Sequence, residues 1–290
     1  MINSRNYDSD LENQEKIGEW SFGLKKNFDL GTLSLFYFPR TQENHIPGAS
    51  SRIGVGIDLQ DSFFIKDNEH QDSEGQYAIK LDLFLDSMDL SFFYVNHFDR
   101  KSPIFGNHQY VQDLSTLLCG AIYCPTDGTI NTPYYFKTAE QGVLLTYTQG
   151  DWLFKGEFVF RNFEDEATIL TLNGLETPED HGEHSVGLEY LCNHDSGYES
   201  RFLVEFGLVS GLEDDLAKRR FVFQQDLYLG YHFSLNDVNA TKFNLGFIAD
   251  FSGESEYLYF LTAERRIGDS WRVNSGLRLI NAESTSTYPQ

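Results

Sequence analysis

Five residues in one short stretch, Glu179, Asp180, His181, Glu183 and His184, are of the types that hold metal ions. Hard carboxylates suit Ca²⁺, and two imidazoles would add affinity for a transition metal. They belong, however, to a strongly acidic run over 163–184, and runs of this kind ordinarily serve as solvated loops. On an outer surface such a loop could also bridge lipopolysaccharide phosphates through divalent cations; no metal is assigned. A second chemistry needs a nucleophile beside a base. Ser91 and His97 share a parity but stand six residues apart in extended chain, beyond direct contact. There is no P-loop, GxGxxG, G-x-S-x-G elbow or HExxH, so the expectation is a protein without enzymatic activity or cofactor.

The residues whose spacing says most are charges at alternate positions. In Asp151 to Asn162, DWLFKGEFVFRN, one parity carries Trp152, Phe154, Gly156, Phe158 and Phe160, and the other carries Lys155, Glu157 and Arg161. Alternation with period two cannot be wrapped onto one face of a helix and predicts a strand with one apolar and one charged face. The same alternation predicts about twelve strands: 19–28, 32–40, 76–86, 88–98, 131–149, 151–162, 184–193, 198–210, 222–234, 241–251, 256–267 and 270–281. The charged parity collects Lys80, Asp82, Lys155, Glu157, Arg161, Glu189, Arg201, Glu205, Asp226, Lys242, Asp250, Glu264, Arg266, Arg272 and Arg278. Both signs interleave, so cross-strand pairing can satisfy most of them. Trp20, Tyr77, Trp152, Tyr198, Tyr257 and Trp271 fall near strand ends, where a membrane barrel carries aromatic girdles.

The connections also carry information. From Asp29 to Val222 tight turns and long links alternate, and only the link at 252–255 is short where a long one is due. Tight turns on one rim and long loops on the other describe an antiparallel up-and-down transmembrane β-barrel. In that arrangement the charges line a lumen; in a soluble sheet they would be solvated exterior residues, with the aromatic face in a core. Inside the long links, RIGVGIDL over 52–59 resembles a short strand and VQDLSTLL over 111–118 a short helix. Residues 1–18 are polar and unpatterned, and predict a loop or disordered lead-in. The expected organisation is this lead-in, an incomplete barrel over 19–281 and a tail over 282–290.

Composition sets outer bounds. The chain has 290 residues, 25 Phe and 16 Tyr, yet its mean hydropathy is only -0.39, as expected when strands are apolar at alternate positions. No apolar run is long enough for a transmembrane helix. A net charge of -22 excludes an ordinary nucleic-acid binder, whose phosphate contacts need a basic surface. Cys119, Cys124 and Cys192 form no metal finger; Cys119 and Cys124 could close a small disulfide or remain free. MINSRNYDSDLENQEKIGEW has no apolar core of the kind a signal peptide needs.

The runs GVLLTYTQGDWLFKGEFVFR, HSVGLEYL and LYLGYHFSLNDVNATKFNLGFIADF, followed by AERRIGDSWRVNSGLRL, resemble the repeated hairpins of porin-like outer-membrane barrels of Gram-negative bacteria. The similarity is to a poorly characterised group related to alginate-export-type channels, and it covers roughly residues 19–281. It implies an outer-membrane location, contact with membrane lipid and lipopolysaccharide, and passive or weakly selective diffusion of small polar solutes; oligomeric state is left open. The chain departs from this pattern in its N-terminus and in ending STSTYPQ rather than on an aromatic-terminated strand, which implies a fragment lacking closing strands. Two other functions fit the same strands: an outer-membrane barrel hydrolase with a Ser–His pair on its outer wall, and a soluble β-sandwich that binds carbohydrate through Tyr and Trp.

Overall fold

The computed structural model describes residues 4–6, 15–47, 50, 62–66, 69–70, 74–100, 104–106, 132–164, 167–171, 174–213, 216–217, 221, 224–252 and 256–281. Residues 52–59 and 111–118, and with them Cys119 and Cys124, lie outside this set; Cys192 is a free thiol.

Twelve strands form one continuous antiparallel sheet in which each pairs with its neighbour in sequence. They are β1 (Phe22–Phe28), β2 (Gly31–Phe38), β3 (Gln76–Leu85), β4 (Met88–Phe98), β5 (Thr132–Gln149), β6 (Trp152–Phe163), β7 (His181–Asn193), β8 (Glu199–Ser210), β9 (Gln225–Ser234), β10 (Lys242–Asp250), β11 (Glu256–Ile267) and β12 (Trp271–Asn281). The alternating pattern thus yields an all-β, up-and-down fold, with boundaries for β4 and β11 matching expectation to the residue. Strand starts differ by at most three residues, at β1, β7 and β9; β7 begins early, at His181, because its ladder with β6 continues through Phe160↔Gly182 to Arg161↔His181.

All six hairpins within β1–β12 turn on the same rim, and links over 39–75, 99–131, 164–180, 211–224 and 251–255 cross the other. Gly150 (φ 60°) and Gly268 (φ 61°) take the left-handed conformation in two of the tight turns, where a side chain would be strained. β1 runs towards the turn rim and β12 towards the link rim. Each pairs on one side only, so the sheet is not closed among the described residues.

β5 is longer than its neighbours, and its N-terminal part rises past them. There it pairs in parallel with Phe63–Lys66 and antiparallel with Ile104–Gly106. Ile65, Ile104, Tyr134, Phe136 and Ile169 pack there as an apolar cluster against Phe163 and Ala167. A further hairpin, Ile169–Thr171 with Gly174–Glu176, lies within the acidic link. That link was expected to be plain loop; strands this short carry no periodicity to read.

The polar lead-in also departs from expectation. Arg5–Asn6 pairs with Glu15–Lys16, Asn6 bridges to His45, and Ser4 is fully buried, its hydroxyl donating to the Gln42 carbonyl. The Arg5 amide donates to Asn44 Oδ1 over 2.9 Å. Backbone pairing holds these described residues, and such pairing requires no apolar pattern.

Candidate functional site

The sheet's two faces differ in kind. Along the ladders one parity brings Phe154, Phe158, Val186, Phe202, Val204, Leu245, Leu261 and Leu277 to a single face, and all of these are exposed. Full burial of such a side chain contributes roughly 1.5–3 kcal/mol in water, of which this half-exposure forgoes a part. The other parity holds the most buried polar groups of the sheet, including Gln76, His97, Thr138, Glu140, Arg161 and His181. Aromatic contacts on the apolar face gather near both rims: Trp152 with Tyr190 and Tyr198 with Phe233 towards the turns, Tyr77 with Tyr94 and Phe247 with Tyr257 towards the links.

Pairing register sets all fifteen charged residues singled out in the sequence on the polar face. Lys80 meets Asp82 at 2.7 Å, and Ser91 donates to the same carboxylate. Lys155 pairs with Glu189 across β6 and β7. Arg201 lies 3.6 Å from Glu199, Glu205 accepts from Ser185 over 3.0 Å, and Arg272 meets Glu264 at 3.2 Å. Lys242 is opposite Glu264, Arg266 opposite Arg272, and Arg278 opposite Phe260. Asp226 and Asp250 face each other directly, and Asp226 Oδ1 is buried without a hydrogen bond.

Arg161 organises the deepest group. Its guanidinium lies 3.0 Å from Asp99, 3.2 Å from Glu140 and 3.2 Å from Glu183, and Glu140 lies 3.4 Å from His97 Nε2. His181 Nε2 is 3.8 Å from Glu183. Three carboxylates therefore share one guanidinium near the link rim, with two imidazoles beside them. Sequence reasoning singled out Arg161 as a lining residue and Glu183 only within the acidic loop; Asp99 and Glu140 were missed. Their shared parity with Arg161 was the available signal, and the offset between strands, which parity does not give, hid it.

Beside the link rim, Glu19 and Arg100 form a second buried pair at 2.8 Å. Burial pushes the Glu19 carboxyl above its ordinary range, against the opposing pull of Arg100. The pair ties the approach to β1 to the link after β4, and Arg100 Nε also donates to the Gln42 carbonyl.

A cavity of about 450 Å³ opens on the polar face. Phe36, Phe38, Phe93, Val95, Leu144 and Val159 supply its apolar wall, and Lys16, Lys80, Glu140 and Glu157 its charges. Lys16 arrives from the N-terminal hairpin, so the segment expected to be an unstructured lead-in forms part of the site.

The metal-like residues do not converge. Asp180 Oδ1 accepts from the Phe163 amide, His181 and Glu183 join the Arg161 group, and His184 projects to the apolar face among Phe158 and Phe160. His184 Nε2 there shares a 3.0 Å hydrogen bond with Ser210 Oγ, while its Nδ1 is buried without a hydrogen bond. Ser91 faces away from this pair and is bound to Asp82. Near the turn rim His194 Nε2 lies 2.8 Å from Ser200 Oγ, which continues to the Tyr231 hydroxyl at 3.1 Å.

Comparison with protein-family models, with curated proteins and with solved structures yields no match for this chain.

Proposed function

We propose that the chain is the wall of a porin-like β-barrel in a bacterial outer membrane, with lipid against the apolar face and a path for small polar solutes along the polar face. One observation carries this reading: one face of the sheet exposes its large apolar side chains, while the charges gather on the other. Lipid removes the cost of that exposure, and a hydrated lumen accommodates lining charges of both signs. Rim aromatics suit the headgroup region, and long links on one rim suit an outer surface near lipopolysaccharide. The fifteen charged residues then line the path, and the Arg161 group forms a constriction near its outer end. Full-length protein in detergent should migrate faster on gels before heating than after, and should conduct ions when placed in a planar bilayer. Protein that stays dispersed without detergent, or inserts without conducting, removes the channel.

A hydrolase on the outer wall is a second reading, favoured by the His184–Ser210 hydrogen bond at the apolar surface. A base within hydrogen-bond reach of a hydroxyl is the minimum arrangement for acyl transfer. Labelling of Ser210 by a fluorophosphonate, lost in Ser210→Ala, would support it; no labelling in lipid vesicles would dismiss it.

A further inference from the structure

We infer that the cavity on the polar face is a binding site for a small zwitterion with an apolar side chain, of the class of the aliphatic and aromatic α-amino acids. This deepens the channel reading by naming a solute class, and rests on it only for passage. Its volume of about 450 Å³ is in the range of small-molecule pockets, roughly 300–1,000 Å³. Phe36, Phe93 and Leu144 form an apolar wall beside the charges of the cavity. Lys80 and Glu140 are committed to Asp82 and to Arg161 and His97. Lys16 and Glu157 have no ion pair among the described residues, and both are exposed. The site thus offers one free cation, one free anion and an apolar wall. A carboxylate on Lys16 and an ammonium on Glu157 would form charge-assisted hydrogen bonds, leaving the side chain to the phenylalanines. A simple anion or cation would satisfy one charge only, and glycine would leave the wall uncovered.

Calorimetric titration of the detergent-solubilised full chain tests this with L-leucine, glycine, leucinamide and N-acetyl-leucine. Leucine should bind saturably, and each of the other three about tenfold or more weakly, a difference of about 1.4 kcal/mol or more. Lys16→Gln should reduce leucine to the affinity of leucinamide, and Glu157→Gln to that of N-acetyl-leucine. Gel mobility before and after heating confirms that each variant folds, and the ligand series on the unaltered protein stands without them. Equal binding of leucine and glycine, no saturable binding, or variants that leave leucine unaffected would overturn the site. Bilayer conductance separates the two readings: leucine binding without conductance keeps the site and removes the channel, and conductance without leucine discrimination does the reverse.

Discussion

At the scale of single residues, the turn between β9 and β10 and the Arg161 group show opposite uses of charge. Ala240 has φ 51°, which costs an L-residue roughly 1–2 kcal/mol. Asp237 braces the turn by accepting from the Thr241 amide at 2.7 Å and from its hydroxyl at 2.9 Å. The amide hydrogen bond, with the hydroxyl and Arg265 assisting, holds the Asp237 carboxyl below its ordinary range. A depressed folded value means that the brace contributes fully above the unfolded aspartate range and is lost as pH falls through the depressed value. The Thr241 amide resonance should therefore titrate with a midpoint below the roughly 3.9 of a free aspartate, and in Asp237→Asn this transition should vanish. For Arg161, removal of the guanidinium leaves buried Glu140 with His97 alone and takes one partner from Asp99 and from Glu183. Arg161→Met should lower unfolding stability by about 3–5 kcal/mol, read from urea midpoints in detergent. Arg161→Met combined with Glu140→Gln should recover part of that loss, because one buried carboxylate charge is gone. A single variant as stable as the parent would show that the cluster is solvated rather than buried.

At the scale of elements, glycines on the polar face accept rings from their own or neighbouring strands. A Cβ at Gly246 of β10 would overlap the Phe260 ring on β11, and one at Gly142 would come within 2.7 Å of the Phe93 ring. The rings lie flat across facing backbone, closing the space left by a missing side chain and fixing strand register. Gly246→Val should cost about 1–3 kcal/mol by overpacking, and Phe260→Ala in the same background should relieve most of it; unfolding midpoints of the two variants test this coupling. The strands themselves were legible because period two survives over nine or more residues, as in DWLFKGEFVFRN. The strands Arg5–Asn6, Phe63–Lys66 and Ile104–Gly106 were not, being held by partners distant in sequence rather than by a pattern of their own. The Ser210–His184 contact escaped for a related reason. It joins adjacent strands across a register that becomes visible only when the Leu208↔His184 pairing is known.

At the scale of the whole molecule, the two edges set a requirement on the membrane reading. β1 is exposed along its length, as is β12, and neither pairs on its outer side. Unpaired amides and carbonyls cost several kcal/mol each in hydrocarbon, so open sheet edges do not persist there. β1 and β12 run antiparallel to one another, and their free ladders are thus compatible in direction for joining each other, and equally for receiving strands of another copy. In lipid vesicles, amides of Lys25, Asn27, Arg272 and Asn274, which point away from the neighbouring strand, should be as protected from hydrogen exchange as those of Val186 and Val204 at the centre of the sheet. Free exchange at both edges in vesicles would be incompatible with a membrane barrel. Spin labels at Lys26→Cys and Ser275→Cys then distinguish the closures. A sheet closed on itself brings the two backbones to the roughly 4.8 Å separation of neighbouring strands. Closure between copies instead gives short distances only when singly labelled chains carrying different sites are mixed. Under the channel reading either closure yields the same wall, and the conducting cross-section would depend on how many strands complete it.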